Sequence, residues 1–449
     1  MKGECIGDAL AFGSAKADFS WSGVAIEDLL DGLGMELSRI RDQLSPKYLF
    51  QSDMALPAEK RDVIRNFIKA DGTPTFHAYK ADPKGVVKLA ERIFSAYGEP
   101  KNVVVIGNGG SISSLDAIYS ATLKMSPSEK RLFIVDSMEP DYIAAVKREC
   151  GIKDTIVVPV SRSGKTQGVL DAFDQFAGYK VVAITSLKPD NPLLSKVAKA
   201  LKKTGVRGRT SDLVVSHPLI GGRYTGRTEV ATLPMALLGM TQRELRAFDD
   251  GAREAYKRVG HKAPLKRNPA LRLASSLLHL ERRDGRDIIF SPMYSHRLDG
   301  FGHLITQLLH ESSGKMGGGQ TILSACAPEC QHHTNQRLFG GKRNMAAVFF
   351  KVEKPMTSGL KAQDGLPLQK ALHLEYEGTR EDATFAGIPS FTVSLSDASP
   401  HAIGSLLAFC QYAFGVYPAL LRDVNPFDQP QVENSKNISK RLRREWLGK

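Results

Sequence analysis

Nowhere does the 449-residue chain hold an uninterrupted apolar run of about 18 residues, so no segment reads as a membrane span. Its amino-terminal stretch lacks a sustained apolar core ahead of a cleavage site, and no signal peptide is expected. Cysteine is scarce: Cys5, Cys150, Cys326, Cys330 and Cys410 are odd in number and scattered. That argues against a disulfide framework and suits a reducing cytoplasm. Compositional bias is absent too, which excludes disorder, collagen-like repeats and coiled coil.

What is present is length and positive charge. At about 150 residues per domain, the chain predicts two or three domains. Lys and Arg number 61 against 48 Asp and Glu, a formal net charge of +13. Such a balance favours anionic partners, phosphorylated metabolites and nucleic acid alike.

Residues 1–85 read as a helical extension, carried by the periodicity of Ile26-Glu-Asp-Leu-Leu-Asp-Gly-Leu-Gly-Met-Glu-Leu. From about 100 the pattern changes to short β-branched runs separated by helix-length stretches. These runs are Val103–Ile106, Leu132–Val135, Ile156–Val160, Val181–Ile184 and Leu213–Ser216. Continuous apolar strands alternating with helices predict a parallel sheet covered on both faces. The scheme repeats after a charged helical stretch near 240–265. Pro269 opens a helix there, and strands are expected at Ile288–Phe290, Gln320–Ser324, Ala346–Phe350 and Phe391–Leu395. A long apolar helix covers 401–421. The expectation is an α/β protein of two tandem doubly wound parallel-sheet units, 86–245 and 246–434, with a basic tail over 435–449. The tail reads as a solvated face, and no nucleic-acid motif accompanies it.

Six segments carry candidate chemistry. Gly107-Asn-Gly-Gly-Ser111 follows a strand and opens a helix, which aims backbone N–H groups and the helix dipole at an anion. Ile112 occupies the third glycine position of a dinucleotide fingerprint, so that reading fails. Ser161-Arg-Ser-Gly-Lys-Thr166 also follows a strand, but Pro159 stands where a nucleotide P-loop needs glycine. Its hydroxyls, Ser161, Ser163 and Thr166, suit a phosphate group. Gly221-Gly-Arg223 brings the backbone close and aims a guanidinium into a cleft; a structural ion pair is the plainer alternative. In Gln307-Leu-Leu-His-Glu311-Ser-Ser-Gly-Lys315, a glutamate ends an apolar helix. Partial burial there raises a carboxyl towards the range a general base needs. Cys326-Ala-Pro-Glu-Cys330-Gln-His332-His333 raises zinc, although its spacing differs from paired knuckles and no second Cys pair follows. Asn425-Pro-Phe-Asp-Gln429-Pro is a rigid turn that sets Lys436 at a defined point, unless that lysine is simply solvated.

In this order, the segments resemble the phosphoglucose isomerase family, built from two sugar-isomerase (SIS) domains, over about 100–440. The resemblance implies that Gly110, Ser111, Ser161, Ser163 and Thr166 hold a sugar phosphate and that Gln307 and Gln429 contact substrate. It implies that Glu311 moves a proton between C1 and C2 and that Arg223 stabilises the enediolate. His332, supplied by a partner subunit, and Lys436 would open the sugar ring. A homodimer with shared sites, no cofactor and no metal follow from the same likeness. The chain departs from the family at Gly168, where a glutamate supports the histidine, leaving Glu229 or Glu329 to orient His332. A further departure is Ser313 in place of asparagine. These bear on sugar specificity, so an isomerase that also accepts mannose 6-phosphate is an alternative, as is a non-catalytic sugar-phosphate sensor.

Overall fold

Two β-sheets organise the chain, and most of their strands are buried on both faces. The computed structural model describes residues 7–12, 15–20, 75–78, 80–203, 213–216, 220–260, 262–264 and 267–448. The first sheet has the order β4-β3-β5-β7-β8. It comprises β3 (Asn102–Ile106), β4 (Arg131–Val135), β5 (Thr155–Ser161), β7 (Ala183–Thr185) and β8 (Val214–Ser216), with a short β6 (Lys180–Val181) also on β5. Every pairing in it is parallel. All seven residues of β5 are buried, which explains the unbroken Ile-Val-Val-Pro-Val run read from the sequence.

The second sheet has the order β1-β2-β12-β11-β9-β10. Strands β9 (Ile288–Tyr294), β10 (Thr321–Cys326), β11 (Met345–Val352) and β12 (Ser390–Leu395) are parallel, as expected. The edge differs from expectation. Residues Gly7–Phe12 (β1) and Ala15–Ser20 (β2) form an antiparallel pair, and β2 runs antiparallel along β12. The amino-terminal extension is therefore not all helical. Ala15-Lys-Ala-Asp-Phe-Ser20 alternates apolar and polar residues, and such a segment gains its stability from pairing with an existing sheet edge. The periodic stretch 26–37 lies outside the described residues.

The helices, in order, are α1 (Pro83–Tyr97), α2 (Gly110–Thr122), α3 (Pro140–Glu149), α4 (Gln167–Asp174), α5 (Pro192–Lys203), α6 (Glu229–Leu237) and α7 (Gln242–Val259). There follow α8 (Pro269–Asp284), α9 (Asp299–Ser313), α10 (Thr334–Gly340), α11 (Leu368–Phe385), α12 (Pro400–Cys410) and α13 (Glu433–Trp446). Their ends carry ordinary signals: Asp82 caps α1 ahead of Pro83, and Thr241 with Glu244 forms a capping box on α7. The boundary expected at 245/246 falls inside α7, and those at 85/86 and 434/435 fall inside α1 and α13. Helix α7 crosses α12 backbone to backbone. A Cβ on Gly251 would lie 1.9 Å from the His401 carbonyl oxygen, and one on Gly404 the same distance from that of Phe248.

The expected 401–421 helix is α12 continued by a π-helical stretch (Gln411–Val416) and a last turn (Tyr417–Leu420). Among the described residues, Pro400–Leu420 is long and apolar enough to cross a membrane, but it is wholly buried in the core. It is a core helix.

Candidate active site

Helix α9 shows how the sequence presents a carboxylate. Leu304, Ile305, Leu308 and Leu309 are buried, each side chain contributing roughly 1.5–3 kcal/mol. The helix is thereby held with Gln307 and Glu311, four residues apart, on one half-buried face. Gln307 Nε2 donates to Glu311 Oε1 at 2.8 Å, and Ser113 Oγ of α2 donates to Gln307 Oε1 at 2.6 Å.

Arg223 meets the other oxygen. Its side chain is 1% exposed, and NH1 lies 2.8 Å from Glu311 Oε2. All five guanidinium donors are used: Nε to Ser312 Oγ, NH1 to Glu311 and Gln429 Oε1, NH2 to the Pro426 and Asp428 carbonyls. A five-donor clasp of this kind fixes the position of the charge to a fraction of an ångström. The short 3-10 segment Gly222–Arg227 carries the arginine, and its backbone presses on the start of α2.

The constrained turn at Asn425 is the opposite jaw. Asn425 Oδ1 accepts from Phe427 N at 2.9 Å, and Lys315 Nζ donates to the Asn425 carbonyl and to Asp428 Oδ1. Burial pushes the Lys315 ammonium below its ordinary value, and Asp428 acts against that. Burial and the nearby Arg223 likewise lower Arg162, whose NH1 donates to the Ile220 carbonyl. Arg162 and Lys315 both lie close enough to Arg223 to feel its charge, and Lys315 also feels Glu311 and Asp428, a positive field suited to an anionic ligand.

The two glycine–hydroxyl loops end the adjacent parallel strands β3 and β5, at the carboxyl edge where open α/β sheets bind ligands. Gly109 has φ +59° ahead of α2, and Gly164 has φ +67° in the second loop, conformations that glycine adopts freely. A side chain on Gly164 would strike Asn191. Ser161 is buried and its Oγ lies 3.0 Å from Thr166 Oγ1, while Ser163 and Thr166 are exposed and Ser111 is half-buried. Thr166 is the N-cap residue of α4, yet its side chain makes no capping bond and its hydroxyl pairs with Ser161 within the loop instead.

Of the residues singled out from the sequence, Glu311, Arg223, Gln307 and Gln429 form one hydrogen-bonded cluster, with Gly110 packed against it. Ser113, Ser312, Lys315 and Asp428 belong to it as well, and sequence reasoning assigned them no role, although three lie within the quoted motifs. Two residues stand apart. Lys436 is exposed on α13, paired with Glu433 at 2.7 Å. His332 is exposed at the end of the 3-10 turn Glu329–His332, anchored by Gln331 Nε2 to Tyr294 Oη at 2.6 Å. Among the described residues, no hydrogen bond or ion pair joins either to Glu311. Glu329 pairs with His333 at 3.3 Å, and Glu229 opens α6. Ser313 is fully buried and its hydroxyl donates to the Leu309 carbonyl, so its change from asparagine does not reach the cleft. In the Cys326–His333 run, whose spacing is unlike that of paired zinc knuckles, Cys330 is buried in the core beneath the turn.

A doubly wound parallel sheet with paired glycine–hydroxyl loops, and a carboxylate clasped to a buried arginine, define a protein of the sugar-isomerase class. No protein-family model matches the chain. It is 27% identical over 349 residues to glucose-6-phosphate isomerase of Methanocaldococcus jannaschii, covering 76% of this chain and 84% of that one. It is 30% identical over 362 residues to the enzyme of the same name from Citrifermentans bemidjiense, covering 75% and 65%. In fold it matches the crystal structure of a glucose-6-phosphate isomerase from Chlamydia trachomatis, with a TM-score of 0.75 at 22% identity, over 97% of this chain and 89% of that one. Several relatives named glucose-6-phosphate isomerase are thus 27–30% identical to the chain over about three quarters of its length.

Proposed function

We propose that this protein is a glucose-6-phosphate isomerase, interconverting glucose 6-phosphate and fructose 6-phosphate through an enediolate, in the cytoplasm and as a homodimer. The observation that carries the mechanism is the half-exposed Glu311 carboxylate, 27% accessible, held between Gln307 and the buried Arg223.

On the open-chain aldose, Glu311 removes the C2 proton. The C–H electron pair forms the C1–C2 double bond, and the former carbonyl oxygen takes the negative charge. The 2-hydroxyl proton passes to O1, the protonated Glu311 returns its own proton to C1, and the O2 electron pair forms the C2 ketone. A positioned base of this kind contributes roughly 10²–10⁴-fold. Arg223 is fixed by five bonds before substrate arrives, so charge developing on the oxyanion meets a preorganised positive charge rather than a spare N–H donor. Gly110, Ser111, Ser161, Ser163 and Thr166 would anchor the remote phosphate and so orient the reacting carbons. His332 and Lys436 would serve ring opening. The exposure of His332, and its separation from its own Glu311 cluster, support a histidine given to a partner subunit.

The test is conversion of fructose 6-phosphate to glucose 6-phosphate with EDTA present, for wild type and Glu311→Gln, with mannose 6-phosphate in parallel. Turnover that falls at least about a hundredfold in the variant establishes the carboxylate as base. A folded wild type that binds sugar phosphate without turnover would instead make the protein a sensor.

A further inference from the structure

Three potential ligands outside the proposed catalytic cluster meet at the carboxyl end of β10. Asp299 opens α9, His296 lies three residues earlier on the 3-10 turn His296–Leu298, and Cys326 ends β10. One Asp299 oxygen is 3.0 Å from His296 Nδ1, and the other accepts from Cys326 Sγ at 3.1 Å. The three donor atoms all lie within 4.8 Å of one another.

Bonds to zinc of about 2.0 Å from nitrogen or oxygen and 2.3 Å from sulfur imply tetrahedral edges of roughly 3.3–3.8 Å. The two contacts of 3.0 and 3.1 Å fall just short of that figure and no two donors are more than 4.8 Å apart, so small side-chain rotations close the set around one ion. The donor types agree: imidazole nitrogen, carboxylate oxygen and thiolate sulfur together suit a borderline-soft cation and disfavour magnesium or calcium, which take oxygen ligands. The scaffold is firm. Ser295 Oγ accepts from Arg297 N, Arg297 NH1 reaches the Ala121 carbonyl at 3.0 Å, and Leu298 is buried. Cys326 is held by parallel pairing of β10 with β9, where it faces Met293 in register.

We infer that His296, Asp299 and Cys326 form a binding site for one divalent cation of the zinc class, with three protein ligands and a fourth position open to water. On binding, the Cys326 thiol gives its proton to solvent and its sulfur lone pair to the ion. The ion would tie the strand leading into the His332 turn to the helix that bears Gln307 and Glu311. The inference rests on this geometry and stands apart from the catalytic reading.

The experiment uses the full chain, stripped with chelator under reducing conditions and titrated with Co²⁺, then with Zn²⁺ in competition. One Co²⁺ per chain is expected, with a thiolate-to-cobalt charge-transfer band that Zn²⁺ abolishes. The band disappears in Cys326→Ser. Affinity in His296→Ala falls by more than about tenfold, the scale seen even for groups that only support a ligand. His296 is 67% exposed, so its truncation leaves the fold intact if Cys326→Ser does not. His333→Ala keeps the band. Absence of a thiolate band, a band that survives in Cys326→Ser, unchanged affinity in His296→Ala, or loss in His333→Ala would each overturn the site.

Discussion

Gly110 and Arg223 touch through their backbones: a methyl group on Gly110 would lie 2.1 Å from the Arg223 nitrogen and 2.4 Å from the Gly222 carbonyl carbon. Neither atom belongs to a flexible side chain, so the conflict can be relieved only by moving the 3-10 segment or the start of α2. Gly110→Ala is therefore expected to displace the guanidinium from Glu311. The substitution should lower kcat more than tenfold and destabilise the fold by about 1–3 kcal/mol, as overpacking does. Kinetics and thermal melting measured together check this; wild-type kcat in the variant would show that the crossing does not position the arginine.

Arg223→Lys separates charge from geometry. Lysine keeps the positive charge but presents three donors at one point, where five bonds in a fixed fork are now made. The Pro426 and Asp428 carbonyls lose donors and the cation no longer stays over Glu311. The expected outcome is a fall in kcat of roughly 10²–10³-fold, the scale for removing one oxyanion donor. KM should change less, because the two glycine–hydroxyl loops proposed to hold the phosphate are untouched. A variant whose KM rises while kcat holds would place Arg223 in substrate binding only.

How far these features were legible depends on whether the cause was local. The strands of both parallel sheets were, because burial on two faces imposes an unbroken β-branched run such as that of β5. The β1–β2 pair was not: it forms on the edge of β12, some 370 residues later in the chain, and its own residues carry weak strand preference. At the site, Glu311 and Arg223 were recognisable from their flanking motifs. Their partnership across 88 residues was not, and neither was the inward turn of Ser313, which only packing decides. The Cys326–His333 run shows the same limit. Nearness in sequence put four ligands in one run, while the fold turns Cys326 away towards Asp299.

His310, beside Glu311, makes the α9–β10 contact sensitive to acid. Its Nε2 accepts from Ile322 N at 3.1 Å, a bond that only the neutral ring can make. Burial lowers its proton affinity below the ordinary value of 6.5. A group depressed in the folded state gives stability that is present above its unfolded value and lost as pH falls through the folded one. Urea midpoints should therefore drop between pH 7.5 and pH 5.5 in wild type by more than in His310→Gln, whose amide oxygen can accept without titrating. Equal slopes in the two proteins would remove His310 from the acid response.

The position of His332 predicts complementation between dead subunits. It is exposed and fixed by its turn, yet unconnected to the Glu311 of the same chain, so each site of a dimer would combine Glu311 from one subunit with His332 from the other. Glu311→Gln and His332→Ala proteins, each inactive alone, are mixed under conditions that exchange subunits. Random pairing makes half the dimers mixed, and each mixed dimer has one site with both groups intact, so about a quarter of wild-type activity should return. Sites built within a single chain would give none, because no subunit in the mixture carries both groups. Exchange must be shown separately, for example by energy transfer between labelled subunits. Recovery near a quarter after proven exchange would make the isomerase a shared-site dimer, and none would confine His332 to its own subunit or to no catalytic role.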